Sequence, residues 1–367
     1  MLVLRGVKIR MKLKKQEKKE IILIISSFLV GGLVMYLIMS NVTKNVIIKD
    51  KTKIYDKSSL ATSVEKVYET AVVVESYNGS SLDTTGSGFF YKSDNKYAYI
   101  LTNEHVLTGT TIQIVNSDDE SKEAEILGKD EYLDLAVLKV DKSLAKKIAN
   151  LGSSNTAKIG DTVFTIGTPI GINYKGTVTS GIISGKNRMV QTSVGENKQG
   201  NWLMQVLQMD TAINKGNSGG PLFNVNGDVI GISSLKLTDE EIEGMAFAIP
   251  IEYAKNHLEE LETGKKMEWP ELGISMTNVS NTGTIVGNDI TIPDNIREGV
   301  VVLNVKEGSC AEDAELEKGD IIVSINNKTT KNIAYLKYEL FQHKVGDKVT
   351  IQYIRKGKEK TTDVKLR

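Results

Sequence analysis

The chain has 367 residues, with 46 Lys plus Arg against 46 Asp plus Glu, so its formal net charge is zero. That length holds two or three domains with real cores, and the neutral balance gives no global electrostatic case for a nucleic-acid partner. A single cysteine, Cys310, excludes an intramolecular disulfide and leaves the compartment open.

In chain order, residues 1–20 hold eight basic side chains against two glutamates, and Ile21 to Met39 carries no charge at all. An uncharged stretch of this length spans a hydrocarbon core as a helix. A cleaved signal peptide is the rival reading, but Ser40-Asn-Val-Thr-Lys44 offers no small-x-small cleavage pattern. The stretch is read as an uncleaved anchor. Basic flanks keep the N-terminus cytoplasmic, which places the rest of the chain outside the cytoplasmic membrane. Residues 40–60, polar and lysine-rich, read as a tether. The expected layout is a basic segment over 1–20, a transmembrane helix over 21–39, the tether over 40–60, and folded domains over 61–264 and 271–367. Lys265–Pro270 links those two domains.

Ser63–Thr70 reads as a short helix leading into a strand at Ala71–Glu75, and Asn78–Gly88 as a loop rich in turn formers. Phe89–Tyr91 and Tyr97–Leu101 read as a hairpin. Further strands are expected at Thr111–Val115, Glu123–Leu127, Leu135–Val140, Thr162–Ile166, Gly176–Ser184 and Leu203–Met209. Short strands at this spacing predict a mostly β fold, a barrel or sandwich. Gly167–Gly171 reads as a turn and Arg188–Asn201 as a long polar loop, a length often tied to function.

The stretch Asp210-Thr-Ala-Ile-Asn-Lys-Gly-Asn-Ser-Gly-Gly-Pro-Leu222 then reads as strand, tight turn, strand, with Ser218 at the turn. Gly216, Gly219 and Gly220 open backbone angles closed to other residues. The Gly216 and Ser218 N–H groups, flanking Asn217, can converge on one point, as a tetrahedral oxyanion requires. Alone, the motif is equally a hairpin turn, so the case needs a base and its orienting acid. Only three histidines exist. His257 and His343 lie in charged, helix-like segments and read as surface residues. His105 ends the apolar run Tyr97–Leu107, and Asp134 directly precedes the apolar strand Leu135–Val140, a costly place for an unpaired carboxylate. His105, Asp134 and Ser218 thus form a candidate base, orienting acid and nucleophile. The Gly-x-Ser-x-Gly elbow of α/β-hydrolases is disfavoured, because Gly219-Gly220-Pro221 follows the serine where that elbow needs a helix. A metal hydrolase is disfavoured too, since the histidines are scattered and no His-Glu-x-x-His run exists. No metal and no cofactor is expected.

Thr102-Asn-Glu-His-Val106, Asp134-Leu-Ala-Val-Leu-Lys139 and Gly216-Asn-Ser-Gly-Gly-Pro-Leu222 together resemble the three signatures of HtrA/Deg-type serine proteases, which have a chymotrypsin-like double β-barrel. The resemblance implies the His105–Asp134–Ser218 triad and the amide oxyanion hole. It also implies a homotrimer acting on misfolded or signalling proteins. Ala212, six residues before the serine, is expected at the base of the primary pocket, so no buried acid awaits Lys or Arg. Ser233, Ser234 and Leu235 are expected to form the pocket wall, and Met245, Ala246 and Phe247 to close it. Cleavage after a small or medium apolar residue follows. The family more often has Ile-Gly-Phe at 245–247 and Pro or Arg at Lys215.

Residues 271–367 resemble a PDZ domain. Leu272-Gly-Ile274 resembles its carboxylate-binding loop, and Ala311-Glu-Asp-Ala314-Glu-Leu316-Glu-Lys-Gly319-Asp320 its second signature, with Glu315 for the usual Gly and Cys310 for the usual Pro. Thr330–His343 is the expected groove helix and Lys348–Arg355 a closing strand. Such a groove takes C-terminal peptides by strand addition, and the family uses them for control. The alternative is a proteolytically dormant, membrane-tethered chaperone or scaffold.

Overall fold

The apolar residues that recur along Leu135–Val140 are buried together, with only Lys139 half-exposed, because this strand is covered on both faces. It is one of six strands that close a barrel. The computed structural model describes residues 15–194, 201–237 and 244–367. The chain divides into two units, Met1–Thr62 and Ser63–Arg367.

A single helix, α1 (Lys15–Val67), runs through the apolar stretch. Its span Ile22–Met39 has mean hydropathy 2.5 and a fully exposed surface, long and apolar enough to cross a membrane. The Ser26 and Ser27 hydroxyls donate to the Leu23 carbonyl at 2.9 and 2.8 Å, which satisfies both inside the helix. The expected tether at 40–60 is helical as well. No Pro or Gly interrupts residues 33–67. Within the second unit, Ser63 Oγ donates to the Val225 carbonyl and Lys66 Nζ to the Asn226 carbonyl at 3.0 Å, and the helix stops at Val67.

The first barrel comprises β1 (Ala71–Asn78), β2 (Ser81–Ser93), β3 (Tyr97–Thr102), β4 (Thr111–Val115), β5 (Ser121–Asp130) and β6 (Leu135–Asp141). They close in the order β1-β2-β3-β6-β5-β4. Val74, Phe90, Ile100, Ile112, Ile114 and Leu138 fill its interior. The expected loop over Asn78–Gly88 is mostly strand. Its Ser and Thr residues pair with β1, from Ala71↔Phe89 to Asn78↔Ser81, so β-branched threonine outweighs the turn formers.

The second sheet comprises β7 (Asn150–Leu151), β8 (Thr162–Gly167), β9 (Thr177–Thr192), β10 (Trp202–Met209), β11 (Pro221–Asn224), β12 (Asp228–Ser233) and β13 (Ala246–Pro250). The order is β11-β8-β9-β10-β13-β12-β7, and a further β11–β12 pairing closes six of them into a second barrel. Val163, Leu207, Met209 and Leu222 pack inside it, while Phe164 and Phe223, cross-strand partners on the opposite face and fully buried, stack at 5.1 Å. The strand expected at Gly176–Ser184 continues to Thr192, because Arg188–Thr192 pairs with Trp202–Val206. The first five residues of the expected loop Arg188–Asn201 are therefore a hairpin arm, and residues 195–200 lie outside the described residues. The helix after β13 breaks at His257 into α2 (Ile251–Asn256) and α3 (Leu258–Thr263).

The C-terminal part comprises β14 (Ile274–Asn278), α4 (Thr282–Gly287), β15 (Val300–Val305), α5 (Cys310–Asp313), β16 (Ile321–Ile325), β17 (Lys328–Thr329), α6 (Ile333–Leu340), β18 (Lys348–Arg355) and β19 (Lys358–Lys365). Its sheet runs β14-β15-β16-β18-β19, leaving β14 as an edge strand. Buried Asp320 takes two 2.7 Å bonds from the Arg355 guanidinium and one of 2.8 Å from the Glu317 N–H. Removing one partner of a buried pair strands the other charge. Arg355→Met should therefore cost about 3 kcal/mol of stability, read by hydrogen exchange at β16 and β18 amides in denaturant. A loss under about 0.5 kcal/mol would mean that the pair is effectively solvated.

The outer side of α6 rests on the second barrel. Phe341 stacks on Trp269 at 4.5 Å and meets Trp202 at 4.9 Å and Tyr132 at 5.1 Å. The Trp269 Nε1–H donates to Asp130 Oδ2 at 2.8 Å. Asp130 Oδ1 accepts the Tyr132 and Leu133 N–H groups at 2.9 Å each. Lys337 Nζ lies 5.7 Å over the Tyr132 ring. Burial pushes the Lys337 ammonium below its ordinary pKa, with Glu271 and Glu131 pulling the other way.

Candidate active site

The site lies where the two barrels meet. After β3 the chain makes one tight helical turn, Glu104–Val106, which carries His105. Val106 and Leu107 are buried in the first barrel and fix that turn. Asp134 is presented by the turn before β6 with φ of +53°, a region that Asp and Asn tolerate better than most residues. The Asn103 carboxamide donates to the Asp134 carbonyl at 2.8 Å and holds this conformation.

Asp134 is 1% exposed and richly hydrogen-bonded. Its oxygens lie 2.8 and 2.9 Å from His105 Nδ1, and Oδ1 accepts the His105 N–H at 3.2 Å. The Ser234 hydroxyl donates to Oδ2 at 2.9 Å. With a carboxylate on Nδ1, the neutral imidazole keeps its proton there and leaves Nε2 free to accept.

Ser218 is buried between Gly216 and Gly219. Gly216 has φ of +100°, and a Cβ there would lie 2.0 Å from the Thr168 carbonyl oxygen. Gly219 has φ of +86°, and a Cβ there would lie 2.2 Å from the Ser87 carbonyl oxygen. Neither position takes another residue. The Lys215 carbonyl accepts the Ile170 N–H at 2.8 Å. The Lys215–Gly216 peptide is trans, so the Gly216 N–H points away from that carbonyl. The Gly216 and Ser218 N–H groups have no acceptor among the described residues, whereas the Asn217 N–H is used by the Asn214 carbonyl at 2.9 Å. Ile170 itself stands at φ of +65°, a strained setting for a β-branched residue that costs about 1–3 kcal/mol.

Ser218 Oγ accepts the Leu235 N–H at 3.1 Å, and no bond to His105 is made. His105 and Asp134 are thus paired, while the serine is held by the turn after β12. Ser233 and Ser234 are buried, Leu235 begins a tight turn, Ala246 is buried, Phe247 is half-buried, and Met245 and Ala212 are exposed. The Ala212 carbonyl accepts the Thr179 hydroxyl at 3.0 Å. Ser234, expected in a pocket wall, has its hydroxyl committed to Asp134. Lys236 and Asn103 also reach the site; Asn103 stands inside the Thr102–Val106 signature and Lys236 in none, and the contacts of both with Asp134 arise from chain reversals that only the fold brings together.

At the C-terminal part, Gly273 has φ of +74° and its carbonyl accepts the Lys306 N–H at 2.9 Å. The Leu272 carbonyl accepts the Ala311 N–H at 3.1 Å. This loop opens onto edge strand β14 beside α6. His257 is half-buried 5.6 Å from the Trp269 ring, and burial lowers its pKa. Together with His343 it lines a cleft shared with Lys265, Lys266 and Trp269, so the expected free helix surface at His257 is a domain junction.

The trypsin-like peptidase domain family matches residues 86–232 and the PDZ domain family residues 270–366. Serine protease Do-like HtrB of Bacillus subtilis is 38% identical over 333 residues, covering 85% of this chain and 72% of that protein. Serine protease Do-like HtrA of Lactococcus lactis subsp. lactis is 37% identical over 297 residues, covering 79% and 72%. The serine endoprotease of Yersinia pestis superposes with a TM-score of 0.61 at 29% identity, covering 84% of this chain and 97% of that one. The HtrA-type protease AlgW, solved with a tripeptide, superposes at 0.60 with 27% identity over 84% and 97%. The chain belongs to the HtrA/Do-like family of serine proteases, a serine endopeptidase with a trypsin-like domain followed by one PDZ domain.

Proposed function

We propose that Ser218 is the nucleophile, His105 its general base and Asp134 the residue that orients and charges the imidazole. The observation that carries this reading is the Asp134 carboxylate seated on His105 Nδ1, with Ser218 buried and the Gly216 and Ser218 N–H groups without an acceptor among the described residues. Ser218 attacks the scissile carbonyl, and His105 takes the hydroxyl proton and returns it to the leaving amine. The Gly216 and Ser218 N–H groups receive the oxyanion. The His105–Ser218 bond forms as substrate displaces the Leu235 N–H, in keeping with catalytic bonds that tighten only in the complex. The Lys215 carbonyl, taken up by the Ile170 N–H, favours this over the dormant scaffold, because that bond keeps the carbonyl from turning to the side of the Gly216 N–H.

The chain is anchored by the apolar helix, with residues 1–20 cytoplasmic and the protease domain outside the cytoplasmic membrane. It is ATP-independent and acts on misfolded or signalling proteins. It cleaves after small or medium apolar residues, since no acidic side chain lies at position 212. Exposed Ile170, Ile172 and Tyr174 support self-association, a homotrimer by family likeness. C-terminal peptides bind along β14 with their carboxylate on the Leu272–Ile274 loop. The contacts of Lys337 on α6 and of Phe341 just past it with Tyr132, two residues from Asp134, give such a peptide a route to the triad.

The test is a serine-directed fluorophosphonate applied to detergent-solubilised full-length protein with casein as substrate. It should modify Ser218 alone and stop cleavage in step. Cleavage that persists with Ser218 fully modified sinks the assignment.

A further inference from the structure

We infer that Lys236 is a positioning residue that restrains the triad electrostatically, a brake built into the turn after β12. The inference rests on the triad reading above. Three consecutive residues of this turn touch the machinery. Ser234 Oγ–H donates to Asp134 Oδ2, the Leu235 N–H donates to Ser218 Oγ at 3.1 Å, and Lys236 Nζ lies 4.0 Å from Asp134 Oδ1. That Oδ1 is the oxygen 2.8 Å from His105 Nδ1. The turn is fixed on both sides of Lys236. Leu237 is buried, and the Thr192 hydroxyl donates to the Lys236 carbonyl at 3.4 Å. Glu104, next to His105 in the chain, is paired with Lys129 at 2.9 Å.

The consequence is one of charge. During attack the Ser218 proton moves to His105, and the imidazolium formed depends on Asp134. An ammonium on the same carboxylate oxygen screens that anion and stands as a like charge beside the new cation. Lys236 therefore opposes charge that exists only after proton transfer, so it slows the chemical step without weakening substrate binding. The Leu235 N–H acts in the same sense, since it occupies a lone pair of the attacking oxygen. A substrate backbone that pairs with the end of β12 and lifts the turn relieves both contacts together.

The test compares wild type, Lys236→Met and Lys236→Arg, all full length in detergent, for turnover of a fluorogenic peptide and for the rate of Ser218 labelling by fluorophosphonate. Lys236→Met should raise kcat and the labelling rate about three- to tenfold with KM changed less than about twofold. Lys236→Arg should match wild type. Raising salt from about 0.05 to about 0.5 M should bring wild type toward the methionine variant, because a half-exposed charge is screened. The salt arm uses wild type alone, so a folding defect in a variant cannot obscure it. The inference is overturned if Lys236→Met leaves kcat and labelling unchanged, if the change falls on KM, which marks a substrate contact, or if Lys236→Arg reproduces it, which marks packing. Failure of the triad reading is distinct: cleavage would then survive complete Ser218 modification.

Discussion

Ser218→Ala is expected to reduce casein and peptide cleavage by at least about 10⁴-fold, leaving only what binding and the oxyanion hole supply. The loss should fall on kcat. The expectation follows from the isolation of this oxygen. Among the described residues Ser218 Oγ has one hydrogen bond, accepted from the Leu235 N–H. Removing it should alter stability by about 1 kcal/mol or less. The surrounding frame does not depend on it, because the Ser218 carbonyl accepts the Ser87 N–H at 2.8 Å and the Gly219 N–H reaches the Ser233 carbonyl at 2.8 Å. A thermal melt close to wild type together with lost turnover is the expected pair of results. A variant that still cleaves at a tenth of the wild-type rate would remove Ser218 from the mechanism.

Asp134→Asn should lower kcat about 10⁴-fold, again without unfolding the site. Asparagine accepts the left-handed backbone at φ of +53° as readily as aspartate. The Asn103 bond to the residue's carbonyl and the Ser234 hydroxyl bond both survive the change. What is lost is the charge, and with it the tautomer. An amide facing His105 Nδ1 donates as well as accepts, so the imidazole can place its proton on Nε2, where it cannot take one from Ser218. Fluorophosphonate labelling should slow in parallel, because it needs the same activated oxygen. A loss of less than about tenfold would mean that His105 is held by the backbone frame alone.

The three residues proposed to react are readable because each stands in a short local signal: a histidine closing an apolar strand, an aspartate opening one, and a serine among glycines. What escaped sequence reasoning is what depends on chain reversal. Ser234 reads as pocket wall by its position along the chain, yet the turn after β12 aims its hydroxyl at Asp134 from 100 residues away. The Arg188–Asn201 segment reads as loop because it is polar. Its arm from Arg188 to Thr192 is a strand because β10 supplies a partner, and pairing rather than composition decides. Asn78–Gly88 follows the same rule on β1. His257 reads as solvated from its charged neighbours, although the linker brings Trp269 onto it. The Asp320–Arg355 pair lies within the PDZ-like run, but only the sheet shows that Arg355 on β18 closes over Asp320.

Helix α6 has no idle face. Leu336 and Leu340 belong to the core of the PDZ domain and Ala334 is buried, while Lys337 and, just past the helix, Phe341 reach Tyr132, Trp202 and Trp269. The C-terminal domain is therefore not a detachable cassette. A foreign PDZ domain grafted at Trp269 would bring its own peptide groove but leave three aromatic rings uncovered, and a change at position 341 is tolerable only with a matching change at 132 or 202.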